Sequence, residues 1–298
     1  GSEGGARGRV GEARARGKQE GNRMNGKVYL VGAGPGDPEL LTVKALRLLQ
    51  TNDVVFHDDL VSSEILKLIS PSAEIQNVGK RCGSKTIRQE EINFLLVARA
   101  ASGLQVVRLK SGDPLVFGRA GEEIEALRRS NIEYEIVPGV TSALGAAAAA
   151  GIPLTHRRAS STIVLTAGHR ASVSRTSANG GDWSQFAAAE STLVVYMPGS
   201  DYTEISSRLA AAGFAEKTPC AIVSRATTPQ QRIYRTTVSD LRRAPQLAAP
   251  TLLVVGEVVK FADRNLVEEA ACFAEPAFEA TFTQPVTASL RTDQEPLA

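Results

Sequence analysis

Short apolar runs of strand length alternate with segments carrying a helical apolar stripe along most of the chain. Val28–Val31 leads through a glycine-rich turn into Leu40–Leu49, where Leu41, Ala45, Leu48 and Leu49 share one helical face. Val54–Phe56 reads as the next strand, and Ser63–Ile69 as a helix ended before Pro71. Gln105–Leu109 and Tyr134–Val137 read as strands around a helix at Gly121–Arg129. Ser142–Ala150 reads as a helix so rich in alanine that another surface can approach it closely. Such an order predicts a mostly parallel sheet covered by helices. Beyond Pro153 a second set follows, with strands at Thr162–Thr166, Leu193–Tyr196, Ala221–Ser224, Arg232–Tyr234 and Leu252–Val255. Glu204–Ala212 and Ser239–Arg242 read as helices, and the alternation in Gln231–Val238 predicts an antiparallel piece. The expected fold class is α/β, as two α/β domains at 27–153 and 154–265 that meet near Ile152–His156. A cleft between them is the default ligand site. Residues 1–26 and 266–298 read as tails without apolar period.

The charge balance narrows the partners. The chain carries a net +2, yet residues 1–27 hold seven Lys/Arg against three Glu, a balance of +4. The remaining 271 residues therefore carry −2, so the body has no charge excess that would draw it to nucleic acid. No stretch is apolar enough over about 18 residues to span a membrane as a helix. The N-terminal stretch has no signal-like apolar core, and a cytoplasmic location is expected. Cys82, Cys220 and Cys272 lie far apart without metal-ligand spacing and read as structural thiols, so no metal centre is expected.

Five clusters then follow strand C-termini in the first half. In VGAGPGDPELLT, Gly32, Gly34 and Gly36 sit between a strand and a helix, where glycine permits close approach by a ligand. The run lacks the third glycine of a dinucleotide fingerprint, and Asp37 puts negative charge where a pyrophosphate needs positive potential. A nicotinamide cofactor is therefore disfavoured. In RLKSGDPLVFGRAGEE, Asp113 suits either hydrogen bonding to a ligand or the forming of a turn. Glu122 and Glu123 fall in a helix first turn, where the dipole alone accounts for Glu123. In VPGVTSALGAAAAAGIPLTHR, Thr141 and Ser142 suit helix caps or ligand contacts, and Arg157 suits a cleft or solvent. HDDLVS places Asp58 and Asp59 past a strand, and VGKRCG places Lys80 and Arg81 past another. Each of these two reads equally as a solvated loop.

Taken in order, GAGPGDPELLT, HDDLVS, VGKR, RLKSGDPLVFGRAGEE, VPGVTSA, AGIPLTHR, TTPQQR and VVGEVV resemble the tetrapyrrole methylase family over about Lys27 to Val259. Within it, VGKR, LVFGR and PLTHR are most similar to members that act on uroporphyrinogen III. The resemblance implies a class III methyltransferase: a homodimer with S-adenosyl-L-methionine held in a trough between two α/β domains. It implies two successive C-methylations that give precorrin-2 and S-adenosyl-L-homocysteine, on the way to sirohaem or cobalamin. Another precorrin methyltransferase, or an RNA or diphthine methylase of the same fold, is the alternative. The family pattern puts cofactor contacts at Pro35, Ser111, Gly112, Asp113, Val116, Thr141, Ser142, Met197, Ala226 and Thr251. It puts a proton acceptor at Asp58, a proton donor at Lys80, and tetrapyrrole contacts at Arg119, Glu122 and Arg157. The chain departs from the family pattern in three places: Ser111 stands for a glycine, Asp59 for a common arginine, and Pro198 follows Met197. The first would matter if that position needed a positive φ.

Overall fold

Five strands, β1 (Lys27–Gly32), β2 (Val54–His57), β3 (Glu74–Asn77), β4 (Val106–Lys110) and β5 (Glu133–Val137), form a sheet in the order β3-β2-β4-β1-β5. Every pairing in it is parallel. The computed structural model describes residues 26–79, 87–168, 183–187, 191–263, 265 and 268–269. Among these no helix is long and apolar enough to cross a membrane.

Alternate residues of each strand serve opposite faces, as the period of two requires. Val28, Leu30, Val54, Phe56 and Val106 pack under α3 (Gln89–Ala101) and α4 (Ala120–Arg129). On the other face, Val31, Val55, Val107, Leu109 and Val137 pack under α1 (Val43–Thr51) and α2 (Ser63–Leu66). A parallel sheet covered on both faces explains why these strands read as continuous apolar runs. The chain leaves β1 towards one edge of the sheet and leaves β4 towards the other. Loops of these neighbouring strands therefore diverge, which opens a crevice at their C-terminal ends.

A second sheet combines β6 (Thr162–Ala167), β7 (Ser191–Tyr196), β8 (Pro219–Ser224), β9 (Arg232–Thr237), β10 (Thr251–Val255) and β11 (Glu268–Glu269) in the order β11-β9-β8-β10-β7-β6. It is mixed: β6–β7 and β9–β11 pair parallel, and the three central pairings are antiparallel. The antiparallel piece expected at Gln231–Val238 is β9. One face packs on Ala143, Ala146, Ala147 and Ala150 of α5 (Ser142–Ala150), so the alanine-rich helix follows β5 in the chain but buries its small side chains on the second sheet. The opposite face carries Ile205 and Leu209 of α7 (Thr203–Ala211), together with Trp183 ahead of α6 (Ser184–Ala187).

Several boundaries differ from the sequence reading for local reasons. The helix expected at Leu40–Leu49 is divided: Asp37 caps a short 3-10 turn at Pro38–Leu40, and Thr42 caps α1, accepting from the Ala45 N–H at 3.1 Å. The strand expected ahead of VGKRCG is β3, whereas nothing in the sequence reading marked helix α3. The pair Glu268–Glu269, assigned to the tail, forms β11 beside β9. Cys220 is wholly buried, and burial pushes its thiol pKa up, in keeping with a structural role. Cys82 and Cys272 lie outside the described residues.

Where β1 and β5 end, their loops touch backbone to backbone. A Cβ at Gly139 would lie 2.3 Å from the Gly112 carbonyl oxygen and 2.8 Å from the Gly32 Cα. Neither neighbour is a flexible side chain, so Gly139→Ala is expected to destabilise the fold by about 1–3 kcal/mol, the range for overpacking. A urea denaturation curve for the variant, compared with the parent chain, checks this.

Candidate active site

The C-terminal loops of the parallel sheet meet the second sheet around a cleft of about 530 Å³. Beyond β1 and β4 the chain continues to pair, because Gly34 and Gly112 exchange backbone hydrogen bonds of 3.1 and 2.8 Å. Gly112 has φ +68°, whereas Ser111 does not have positive φ. The substitution at Ser111 therefore falls on a position whose backbone any residue can adopt. Asp113 takes the turn-forming role: one oxygen accepts from the Leu115 N–H at 2.8 Å and the other from the Gly139 N–H at 3.1 Å. It thereby ties the loop after β4 to the loop after β5.

A smaller cavity of about 110 Å³ opens off the cleft, and Ser111, Ser142, Tyr196 and Met197 line both. Gly112, Asp113, Val116 and Thr141 line the larger space, and Pro35, Ala226 and Thr251 the smaller. The ten positions marked by the family pattern as cofactor contacts thus line two neighbouring cavities that share wall residues. Asp58 and Arg119 line the larger cavity too. Glu122 lies beside Arg119, which donates to it twice at 2.7 Å. That hydrogen-bonded pairing holds the Arg119 pKa above its ordinary value. Arg157 is exposed on the 156–160 turn, outside the walls of both cavities. Lys80 lies outside the described residues. Asp59 accepts from the Asn77 amide at 2.6 Å.

Phe117, Arg119 and Met197 have left-handed backbones, with φ between 50° and 55°, and all three line the cleft. Each such residue costs about 1–3 kcal/mol, and conformations of this kind collect at functional sites. Phe117 packs against Tyr196 with ring centroids 4.8 Å apart.

Two features of the site go beyond the roles that the family pattern marks. The first is Tyr196, at the end of β7. Its hydroxyl lies 2.6 Å from Thr141 Oγ1 and accepts from the Ala143 N–H at 3.1 Å. Thr141 makes no capping bond of its own, so the N-terminus of α5 is capped by a residue of the other sheet. Burial raises the tyrosine pKa, against the opposing hydrogen bond from Thr141, and keeps the hydroxyl protonated.

The second is a charged cluster beneath the cleft. Arg108 and Lys110, two residues apart on β4, point to the same face and are 3% exposed at the side chain. Both contact Glu123 of α4, which is fully buried: Arg108 Nε at 3.0 Å and Lys110 Nζ at 2.9 and 3.1 Å. Gln89 adds a third donor, and a fourth hydrogen bond, at 3.3 Å. Arg108 also donates through Nη2 to Asp58. Burial draws the Arg108 pKa down, but the charges of Asp58 and Glu123 outweigh it and leave the pKa raised. Burial and the neighbouring Arg108 lower that of Lys110. Glu123, assigned to the helix dipole from its position alone, is instead the shared anion of two buried cations. Removing one member of such a group costs about 3–5 kcal/mol. A visible signal was present: two cations, in RLK, interrupt a strand that should be wholly apolar.

Fold and cleft together define an α/β protein with a small-molecule site where the strand ends of a parallel sheet meet a mixed sheet. Residues 27–242 match the family described as Tetrapyrrole (Corrin/Porphyrin) Methylases. The chain belongs to that family. It is 47% identical over 240 residues to Siroheme synthase 2 of Aeromonas hydrophila subsp. hydrophila, an alignment covering 80% of this chain and 50% of the relative. The chain spans about half the length of the curated relatives it matches. Among solved structures, it resembles uroporphyrin-III C-methyltransferase from Thermus thermophilus complexed with S-adenyl homocysteine (41% identity, TM-score 0.67, 79% of this chain and 99% of that one). It also resembles a cobalt precorrin-4 methyltransferase (34% identity, TM-score 0.68, 78% of this chain and 95% of that one).

Tyr196→Phe removes the cap on α5 while keeping the ring that packs against Phe117. The loss expected is about 0.5–2 kcal/mol of unfolding free energy, the range for deleting an N-cap. Thermal unfolding of the two proteins side by side measures it.

Proposed function

We propose that this chain is an S-adenosyl-L-methionine-dependent C-methyltransferase that converts uroporphyrinogen III to precorrin-2 by two successive methylations. The observation that carries the reading is the convergence of all ten pattern-marked cofactor positions on two neighbouring cavities with shared walls, with Asp58 and Arg119 lining the larger.

The residues present fit the cofactor. Glycine at 112 and the close loop contacts let backbone approach a ligand, and the Ser142 N–H stands at the head of α5 beside Thr141. Pro35, Ser111, Gly112, Asp113 and Val116 would hold the cofactor from the first sheet's loops, with Thr141 and Ser142 at the head of α5. Met197, Ala226 and Thr251 would hold it from the second sheet. Bound there, S-adenosyl-L-methionine supplies an electrophilic methyl on a sulfonium sulfur, which an electron-rich pyrrole carbon attacks, leaving S-adenosyl-L-homocysteine.

The chain itself aligns the reactants and excludes water. Asp58 accepts the proton that the methylated macrocycle must lose, and Lys80 is assigned the donor role. The substrate ends in carboxylates around its periphery, which suits guanidinium partners. Arg119 has Glu122 as its carboxylate partner on the cleft rim, so a substrate carboxylate takes over a geometry already formed. Arg157 would reach the substrate from its exposed turn. A second copy of the chain completes a homodimer, supported by the part-exposed Ile163 and Leu165 on edge strand β6. The reaction is placed in the cytoplasm.

Incubated with S-adenosyl-L-methionine and uroporphyrinogen III, the protein is expected to yield a product heavier by two methyl groups, read by mass spectrometry. Inertness towards that substrate, with turnover of RNA or a later corrinoid, would overturn the reading. Arg119→Ala is expected to raise the tetrapyrrole KM about tenfold, roughly 1.4 kcal/mol. Its affinity for S-adenosyl-L-methionine should stay unchanged by calorimetry, and equal loss of both would remove the assigned role.

A further inference from the structure

Of the four charges under the cleft, Asp58 is the most exposed to it, with 29% of its side chain exposed against 3% or less for Arg108, Lys110 and Glu123. Its direction is set by the guanidinium behind it. Arg108 is held at every edge: Nε by Glu123, Nη2 by Asp58, and Nη1 by the carbonyls of Leu109 at 3.2 Å and Phe56 at 3.5 Å. Glu123 is in turn fixed by Lys110 through both carboxylate oxygens and by Gln89. Gln89, Arg108 and Lys110 line the cavity, but Glu123 does not. Whatever Glu123 contributes to chemistry, it contributes through the cations it holds.

The charge count makes this arrangement specific. Arg108 and Lys110 supply two positive charges with side chains 3% exposed, and Glu123 and Asp58 supply two negative ones. Without Glu123 two like charges would stand side by side in low dielectric with a single counterion, and that counterion would be Asp58. Lys110 and Arg108 would then compete for it, drawing the carboxylate back from the cleft.

We propose that Glu123 is a positioning residue for the methyl-transfer site: by clamping Arg108 and Lys110 side by side it fixes the cation that aims the Asp58 carboxylate into the cleft. This rests on the role given to Asp58 under the proposed function. Lys110 is the second half of the device, since its charge makes a buried anion at 123 necessary. The two therefore form a unit that can be removed together: Lys110→Met with Glu123→Gln keeps the charge balance between Arg108 and Asp58, and the glutamine carbonyl can still accept from Arg108 Nε.

The test compares the parent, Glu123→Gln, and the double variant Lys110→Met/Glu123→Gln. For each, measure thermal unfolding, S-adenosyl-L-methionine affinity, kcat and KM with uroporphyrinogen III, and a crystal structure. Glu123→Gln should bind the cofactor as the parent does but lose on the order of 10- to 100-fold in kcat, the scale of a misplaced catalytic group. Its Asp58 carboxylate should be turned from the position held in the parent. The double variant should restore that position and recover kcat to within a few-fold. A Glu123→Gln protein with parental kcat, or with Asp58 still paired to Arg108 as before, overturns the proposal. So does a double variant that regains stability without regaining kcat. Failure of the functional reading looks different: the parent itself would not turn over the tetrapyrrole, while the crystal structures would still decide whether Glu123 aims Asp58.

Discussion

The backbone bonds between Gly34 and Gly112 carry the cleft. Parallel strands end in loops that would ordinarily splay into solvent, and here β1 and β4 send their chains to opposite edges of the sheet. The bridge holds the two loops together for a further two residues beyond the sheet. Asp113 adds the loop after β5 through the Gly139 N–H. Three of the five strand ends are thereby joined by main-chain groups and one short carboxylate, with no long side chains to be ordered. The surface offered to a ligand is largely preformed, which limits the entropy lost on binding.

Beneath that surface the protein holds ionised groups where water cannot reach. Such a cluster adds little stability over an apolar equivalent, because desolvation offsets most of the Coulomb attraction. Its value lies in direction. A carboxylate in open solvent samples many rotamers, whereas Asp58 leans on a guanidinium that is itself bonded on all sides. The same low dielectric makes each partner unforgiving of loss.

Much of the fold was legible because a sheet covered on both faces writes itself as apolar runs, and β1 and β2 do so, as does β4 apart from Arg108 and Lys110. Edge strand β3 (Glu-Ile-Gln-Asn) is mostly exposed and offers no such run. Helix α3 escaped notice because apolar residues surround it: Ile92 and Leu96 are buried while Phe94 is exposed, which blurs the stripe. At the site, residues within glycine and proline motifs could be marked from their order along the chain. The roles of Tyr196 and of Glu123, which closes the RLKSGDPLVFGRAGEE run, could not, because they depend on strand register and on which helix crosses above β4. Glu122 and Glu123 show the limit clearly. They are adjacent, identical in type and equally placed for the dipole, yet one pairs with Arg119 on the rim and the other is fully buried. A rotation of about 100° per residue along the helix separates them.

Helix α5 belongs by sequence to the segment that follows β5, while its alanine face and its capping hydroxyl belong to the second sheet. Neither half can shed the other without exposing that face and leaving backbone donors unpaired. The two sheets are therefore coupled through α5, so that disorder in one weakens the other. A fragment ending at the close of α5 would carry an orphaned alanine stripe into solvent. Ligand bound across the cleft stabilises both sheets at once, through the helix they share.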